Sequence, residues 1–240
     1  MEWRDEGILL STRAHGETSA IVEVFTAKHG RHAGIVRGGI SRKLAPVLQP
    51  GNQVSIEWRA RLEEHLGSYI ADMIKSRSEV LSDRARLAAM TSLCALASYA
   101  LPERQPLPRL YAATLDFVDH LTANDDWQPY YALWELSLLE EMGFGLDFSA
   151  CAATGKIDDL IYVSPKSGQA VSERAGAPFA DRMLPLPPFF RGEPFAPIKD
   201  VQAALITTGF FLTKYLGGQV VGKPLPPARD RLIAAINRLT

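Results

Sequence analysis

The chain has 240 residues, 26 Lys and Arg against 27 Asp and Glu, a net charge of −1 and 47% hydrophobic residues. That is enough for one large domain or two small ones with a real core, and it excludes global disorder and fibrous repeats. Two cysteines, Cys94 and Cys151, cannot build a disulfide scaffold or a cysteine-only zinc site, and the near-zero charge argues on its face against nucleic acid.

Glu2, Asp5 and Glu6 are wrong for a secretory leader, and no apolar stretch follows them. The longest uncharged apolar run, Leu87–Leu101, is shorter than the roughly 20 residues of a membrane span. The expectation is a cytoplasmic protein with reduced thiols and no membrane partner.

Up to about residue 80 the apolar period is two. Val54, Ile56 and Trp58 alternate with polar residues, which predicts a half-buried strand. Gly7–Ala14, Ser19–Thr26, Arg31–Arg37 and His65–Met73 are further strands, separated by glycine- and proline-marked turns. Five short strands over residues 1–80 suit a five-stranded oligonucleotide-binding (OB) barrel.

After residue 80 the period is helical. Leu87, Met90, Cys94, Ala97 and Leu101 share a face, with Ser82 or Asp83 as cap and Pro102 as stop. Leu110, Ala113, Phe117 and Leu121 form a second stripe, and Tyr130, Trp134, Leu138 and Met142 a third, ended by Gly143. Val201, Leu205, Thr208, Leu212 and Tyr215 form a fourth, and Leu232, Ala235, Ile236 and Leu239 a fifth. The whole is therefore an α+β multidomain chain, with the barrel at 1–80 and an all-α helical bundle at 81–240. Inside the bundle, about 145–197 is a glycine- and proline-rich irregular insertion with a hairpin near Leu160–Val171.

The net charge is an average over unlike parts. Residues 1–80 carry 11 basic and 10 acidic residues, 81–199 carry 10 and 15, and 200–240 carry 5 and 2. From Val24 to Ile56 there is no acid, while Lys28, Arg31, Arg37, Arg42 and Lys43 are basic. Cations on a barrel release counterions from a nucleic-acid backbone, which makes these five the DNA-contact candidates. The competing reading is a solvated basic loop balanced by Glu17, Glu23, Glu57, Glu63 and Glu64.

No catalytic constellation is present. There is no phosphate-binding Gly-Lys-Ser/Thr loop, no Gly-x-Ser-x-Gly elbow and no His-Glu-x-x-His helix. The acid pairs Glu140-Glu141, Asp125-Asp126 and Asp158-Asp159 are adjacent, so their side chains diverge. His29 and His32 sit among cations and read as solvated turn residues. Cys151-Ala152-Ala153-Thr154-Gly155 has the shape of a zinc knuckle without its second cysteine, so Cys151 is a lone remnant and no metal or other cofactor is expected.

Gly16-Glu17-Thr18-Ser19-Ala20-Ile21-Val22-Glu23-Val24-Phe25-Thr26, then Gly30-Arg31, then Ile35-Val36-Arg37-Gly38 resembles the start of bacterial RecO recombination mediators. Leu139–Cys151 resembles that family's helix leading into a zinc knuckle, and Tyr215-Leu216-Gly217-Gly218 with a basic C-terminal helix is a third match. The resemblance implies an N-terminal OB domain, a C-terminal helical domain with an embedded zinc-knuckle-like insertion, and a non-enzymatic, nucleoid-associated role. Such proteins bind single- and double-stranded DNA, anneal complementary strands, bind the C-terminal tail of single-strand-binding protein, and with RecR help RecA load. By position it implies Lys28, Arg31, Arg37, Arg42 and Lys43 as DNA contacts. Arg13, Arg59, Arg61, Lys223, Arg229, Arg231 and Arg238 are then secondary DNA or partner contacts. The alternative is an OB adaptor that binds a peptide and no DNA; an enzyme using a cleft beside the barrel is a third reading.

Overall fold

The computed structural model describes residues 1–193 and 197–239, so residues 194–196 of the expected insertion and the last residue of the expected helical domain lie outside the described residues. Five strands form the N-terminal part: β1 (Glu2–His15), β2 (Ser19–Thr26), β3 (Gly30–Val36), β4 (Gln53–Arg59) and β5 (Ser68–Lys75). They close into a barrel in the order β1-β2-β3-β5-β4. All pairings are antiparallel except β3 with β5, which is parallel and short, at Ile35↔Ser68 and Val36↔Tyr69. Inward side chains of alternating residues fill the barrel, among them Val22, Val24, Val54, Ile56, Trp58 and Tyr69.

β1 begins earlier than its apolar run suggests. Residues 2–6 are mostly charged, yet they pair with β4 through Glu2↔Arg59 and Arg4↔Glu57. Cross-strand ion pairs accompany this register: Arg4 to Glu57 at 2.6 Å and Arg59 to Glu2 at 3.2 Å. Ile8, Leu9 and Leu10 are all buried, because this stretch has the barrel interior on one face and helix α1 (Arg84–Ala100) near the other. The alternation breaks at a bulge between Leu9 and Ser11. β5 starts later than expected, because Gly67 at φ +65° turns the chain just before it.

The chain divides into two compact units, Met1–Ala123 with Pro226–Arg229, and Asn124–Leu225 with Asp230–Thr240. In the first unit the barrel is joined by α1 and α2 (Pro108–Ala123). Asp83 caps α1 by accepting hydrogen bonds from the Ala85 and Arg86 amides at 2.8 and 3.0 Å, and Leu101 ends it before Pro102. Arg77 is buried beside α2, where it donates to Asp119 at 2.5 Å and Thr122 at 3.2 Å.

The second unit holds α3 (Gln128–Glu141), the hairpin β6 (Leu160–Val163) and β7 (Ala170–Ser172), a short α4 (Glu173–Gly176), β8 (Leu184–Pro185), α5 (Ile198–Phe211) and, from Asp230 on, α6 (Pro227–Ile236). The expected hairpin is present, with β8 added on the far side of β6. The insertion is thus a small three-stranded sheet. α5 runs into a π-helical segment, Leu212–Val220. Lys214 sits 4.8 Å from the centre of the Tyr215 ring and donates to the Pro165 carbonyl at 2.8 Å, tying that segment to the insertion.

Gly30 carries the connection after α1. Its φ is +62°, and a Cβ there would stand 2.0 Å from the Gln105 carbonyl oxygen. Gly16 has the same φ but open space around it. Gly16→Ala is expected to lose about 1–2 kcal/mol, the left-handed backbone cost alone. Gly30→Ala should lose clearly more in urea unfolding; equal losses would contradict the packing assigned to Gly30.

Candidate nucleic-acid interface

The acid-free stretch is continuous in sequence but not in space. The β2–β3 turn, which carries Lys28 and His29, lies at the barrel end where β1 starts, with His29 stacked on Trp3. β3 then runs the length of the barrel. Arg37 follows its last residue, at the end where the β1–β2 turn lies, and the Ile40 amide donates to the Thr18 carbonyl of that turn. The structure therefore splits the five candidates, with Lys28 and Arg31 toward one end and Arg37, Arg42 and Lys43 at the other.

The connection from 37 to 52 is a series of turns with one apolar side. Leu48 is buried in the barrel core and Leu44 and Val47 pack against it. Arg42 and Lys43 take the exposed side. Asn52 fixes the segment: its Nδ2 donates to the Pro46 and Val47 carbonyls at 2.8 and 3.2 Å, and its Oδ1 accepts the Arg77 amide at 2.9 Å. Thr12 donates to the Leu48 carbonyl at 2.8 Å, which sets this segment beside β1 next to Arg13. Gly39 is needed for packing, since a Cβ there would meet the Ala20 side chain at 2.7 Å. Arg13, Arg37, Arg42 and Lys43 are exposed, and their side chains make no hydrogen bond or ion pair among the described residues.

The other candidates differ. Arg31 is ion-paired with Glu23 at 2.7 Å and with Glu103 at 3.6 Å, and its Nε donates to the Leu101 carbonyl at 2.8 Å. It is held between β2, β3 and the segment after α1, so a DNA-contact role for it competes with these partners. Arg59 is committed to Glu2 and Glu57. Arg229 is only 5% exposed, so it too is no surface cation. Lys28, Arg61, Lys223, Arg231 and Arg238 are exposed.

His32 overturns another expectation. It is 3% exposed, faces the barrel interior from β3, and pairs with the Tyr69 hydroxyl at 2.7 Å. Its ring stands edge-on to Trp3 and Trp58. Burial pulls its imidazole down to about 4, and the Arg104 cation adds to the effect. Arg104 itself donates to the Glu63, Glu64 and His65 carbonyls at 2.5, 3.2 and 3.0 Å, holding the β4–β5 loop. Trp3, His32 and Arg104 are absent from the candidates read in the sequence. The alternating charges of Glu2, Arg4 and Glu6 were the available sign that Trp3 lies on a strand with an inward face.

Cys151 heads a tight turn. The Thr154 and Gly155 amides donate to the Cys151 carbonyl at 3.3 and 2.8 Å. The sulfur accepts the Ser172 amide at 3.3 Å and lies 3.5 Å from the Ser172 hydroxyl. Burial alone would raise this thiol, but hydrogen bonds from Ser172, Thr154 and the Ala153 amide bring it down to about 6. One thiolate with two hydroxyls does not fit tetrahedral zinc, and no group of three or more His, Cys, Asp or Glu suited to a metal occurs among the described residues. No helix among the described residues is long and apolar enough to cross a membrane.

Family models place this arrangement. "Recombination protein O N terminal" matches residues 1–77 and "Recombination protein O C terminal" matches residues 81–225. The chain belongs to the RecO family. It is 54% identical over 239 residues to the DNA repair protein RecO of Ruegeria sp. (strain TM1040), with 99% of each chain covered. It is 52% identical over 239 residues to the DNA repair protein RecO of Roseobacter denitrificans, again with 99% of each covered. The break between the two RecO models, at 77–81, coincides with the end of the barrel strands.

The buried His32 is expected to make the stability of this barrel pH-dependent. An unfolded chain takes up a proton near pH 6.5 that the folded chain resists until about pH 4, so stability should fall as pH drops through that window. His32→Gln keeps a partner for Tyr69 and removes the titration. Urea unfolding across this range should show a shallower pH slope for the variant; an unchanged slope would contradict the placement of His32.

Proposed function

We propose that this chain is a DNA repair and recombination mediator. It binds single- and double-stranded DNA without base-specific readout, and it anneals complementary strands without making or breaking a covalent bond. With RecR it helps RecA load onto strands covered by single-strand-binding protein. The observation that carries this reading is the set Arg13, Arg37, Arg42 and Lys43: four exposed, unpaired cations around one end of a five-stranded barrel, in a chain of the RecO family.

The physical requirement for annealing is modest. Two anionic strands must be held close, and cations that displace condensed counterions lower their repulsion. Lys28 and Arg61 at the far end of the barrel, with Arg59 beside them, are secondary contacts in this reading. Lys223, Arg231 and Arg238 serve either the strand or the acidic C-terminal tail of single-strand-binding protein.

A second reading is an adaptor that binds a peptide. It is favoured by a groove of about 770 Å³ in the first unit, lined by Leu10, Pro46, Leu81, Leu87, Met90 and Cys94 among others. The two readings separate in a gel shift at moderate salt, where the adaptor has no oligonucleotide affinity.

Arg37→Glu with Arg42→Glu should weaken single-strand binding. It should also flatten the dependence of log affinity on log salt by about 0.7 for each lost phosphate contact. Fluorescence anisotropy across a salt series measures both. A full-strength salt slope in the double variant would contradict this site.

A further inference from the structure

At the barrel end opposite the cation cluster, rings are stacked from the core outward. Trp58 is fully buried, Trp3 lies over it at 5.6 Å and 22°, and His29 lies over Trp3 at 3.8 Å and 8°. His29 is the outermost ring, with its side chain 28% exposed. Its ring is not free to turn away, because Nδ1 is held by the Asp5 carboxylate at 3.1 Å. Beside the column is a pocket of about 420 Å³, walled by Trp3, His29, His32 and Arg104 among others. Arg104 fixes the β4–β5 loop that borders it through three carbonyls.

A structural account explains Trp58 and His32, which are buried core. It does not explain why two further planar rings continue the stack into solvent with the last one clamped. An aromatic face held at a surface and partly exposed is what an unpaired base needs for stacking, and stacking tolerates any base because each has a π-face. The local charge favours a nucleic acid. Lys28, next to His29, and Arg61, on the bordering loop, are exposed and without a partner among the described residues. Of the nearby acids, Asp5 and Glu2 are paired with His29 and Arg59; Glu63 also lines the pocket, where Lys28 and Arg104 are the cations.

We propose that the outer face of His29, at the end of the Trp58–Trp3–His29 column, is a stacking platform for one unpaired nucleobase of a DNA strand, with Lys28 beside it and Arg61 on the bordering loop for the flanking phosphates. This rests on the DNA-binding reading above and adds to it a base-contacting site at the other end of the barrel.

The test compares the full chain's affinity for an oligothymidylate with that for an abasic strand of equal length and charge. The wild type should prefer the base-bearing strand by roughly tenfold. His29→Ala should abolish that preference with its salt slope unchanged, and His29→Phe should restore it. Thermal unfolding of each variant confirms that it is folded. A full preference in His29→Ala, or a folded His29→Phe that behaves like the alanine variant, overturns the platform. So does an aromatic peptide that fills the pocket and that the strand does not displace. Salt-dependent binding with no base preference in the wild type overturns this inference alone; no binding of either strand overturns the DNA reading as well.

Discussion

The short parallel pairing of β3 with β5 closes the ring, and most of what is distinctive here depends on it. Only Ile35↔Ser68 and Val36↔Tyr69 join these strands. A parallel neighbour cannot be reached by a tight hairpin, so the chain must leave β3, cross the barrel end and return through β4 before β5 can pair. The crossing is the 37–52 connection. Its apolar side, Leu44, Val47 and Leu48, seals the barrel, which leaves Arg42 and Lys43 on the outside. Closure of the sheet and display of cations are thus two faces of one segment.

The same closure accounts for the division of labour between the barrel ends. A strand of seven residues separates Lys28 and His29 from Arg37. One end presents exposed charges that suit a phosphate backbone. The other presents fixed rings, clamped by Asp5 and by Arg104 through the β4–β5 loop. A strand held at both ends of a barrel would be kept extended, the state in which its bases are open to a complement.

Much of the fold was legible because its apolar residues keep period. β2 falls on Ser19–Thr26 as expected, Val54, Ile56 and Trp58 face inward, and Pro102 and Gly143 lie just beyond their helices. The candidate site was legible only as composition. A linear run of cations carries no record of which end of a barrel each residue reaches, and that follows from strand direction. Arg31 was recoverable in part, since a turn at 27–29 sets it diagonally across from Glu23 in the hairpin register. Trp3 escaped because its strand is written in charges, and His32 because a histidine between glycine, arginine and alanine shows no apolar pattern. Cys151 was legible as a lone cysteine, but the hydroxyl of Ser172, 21 residues on, could not be matched to it without the hairpin that joins them.

Net charge is therefore a poor guide to what this chain contacts. An acidic middle masks a barrel whose free cations are few but concentrated, and several other cations are spent on internal ion pairs. Such a surface suits moderate, salt-sensitive binding. The most direct measurement is the annealing rate of two labelled complementary oligonucleotides, followed by energy transfer across a salt series. The account predicts acceleration over the spontaneous reaction that declines steadily with log salt. No acceleration at any salt, with the protein folded, would contradict it.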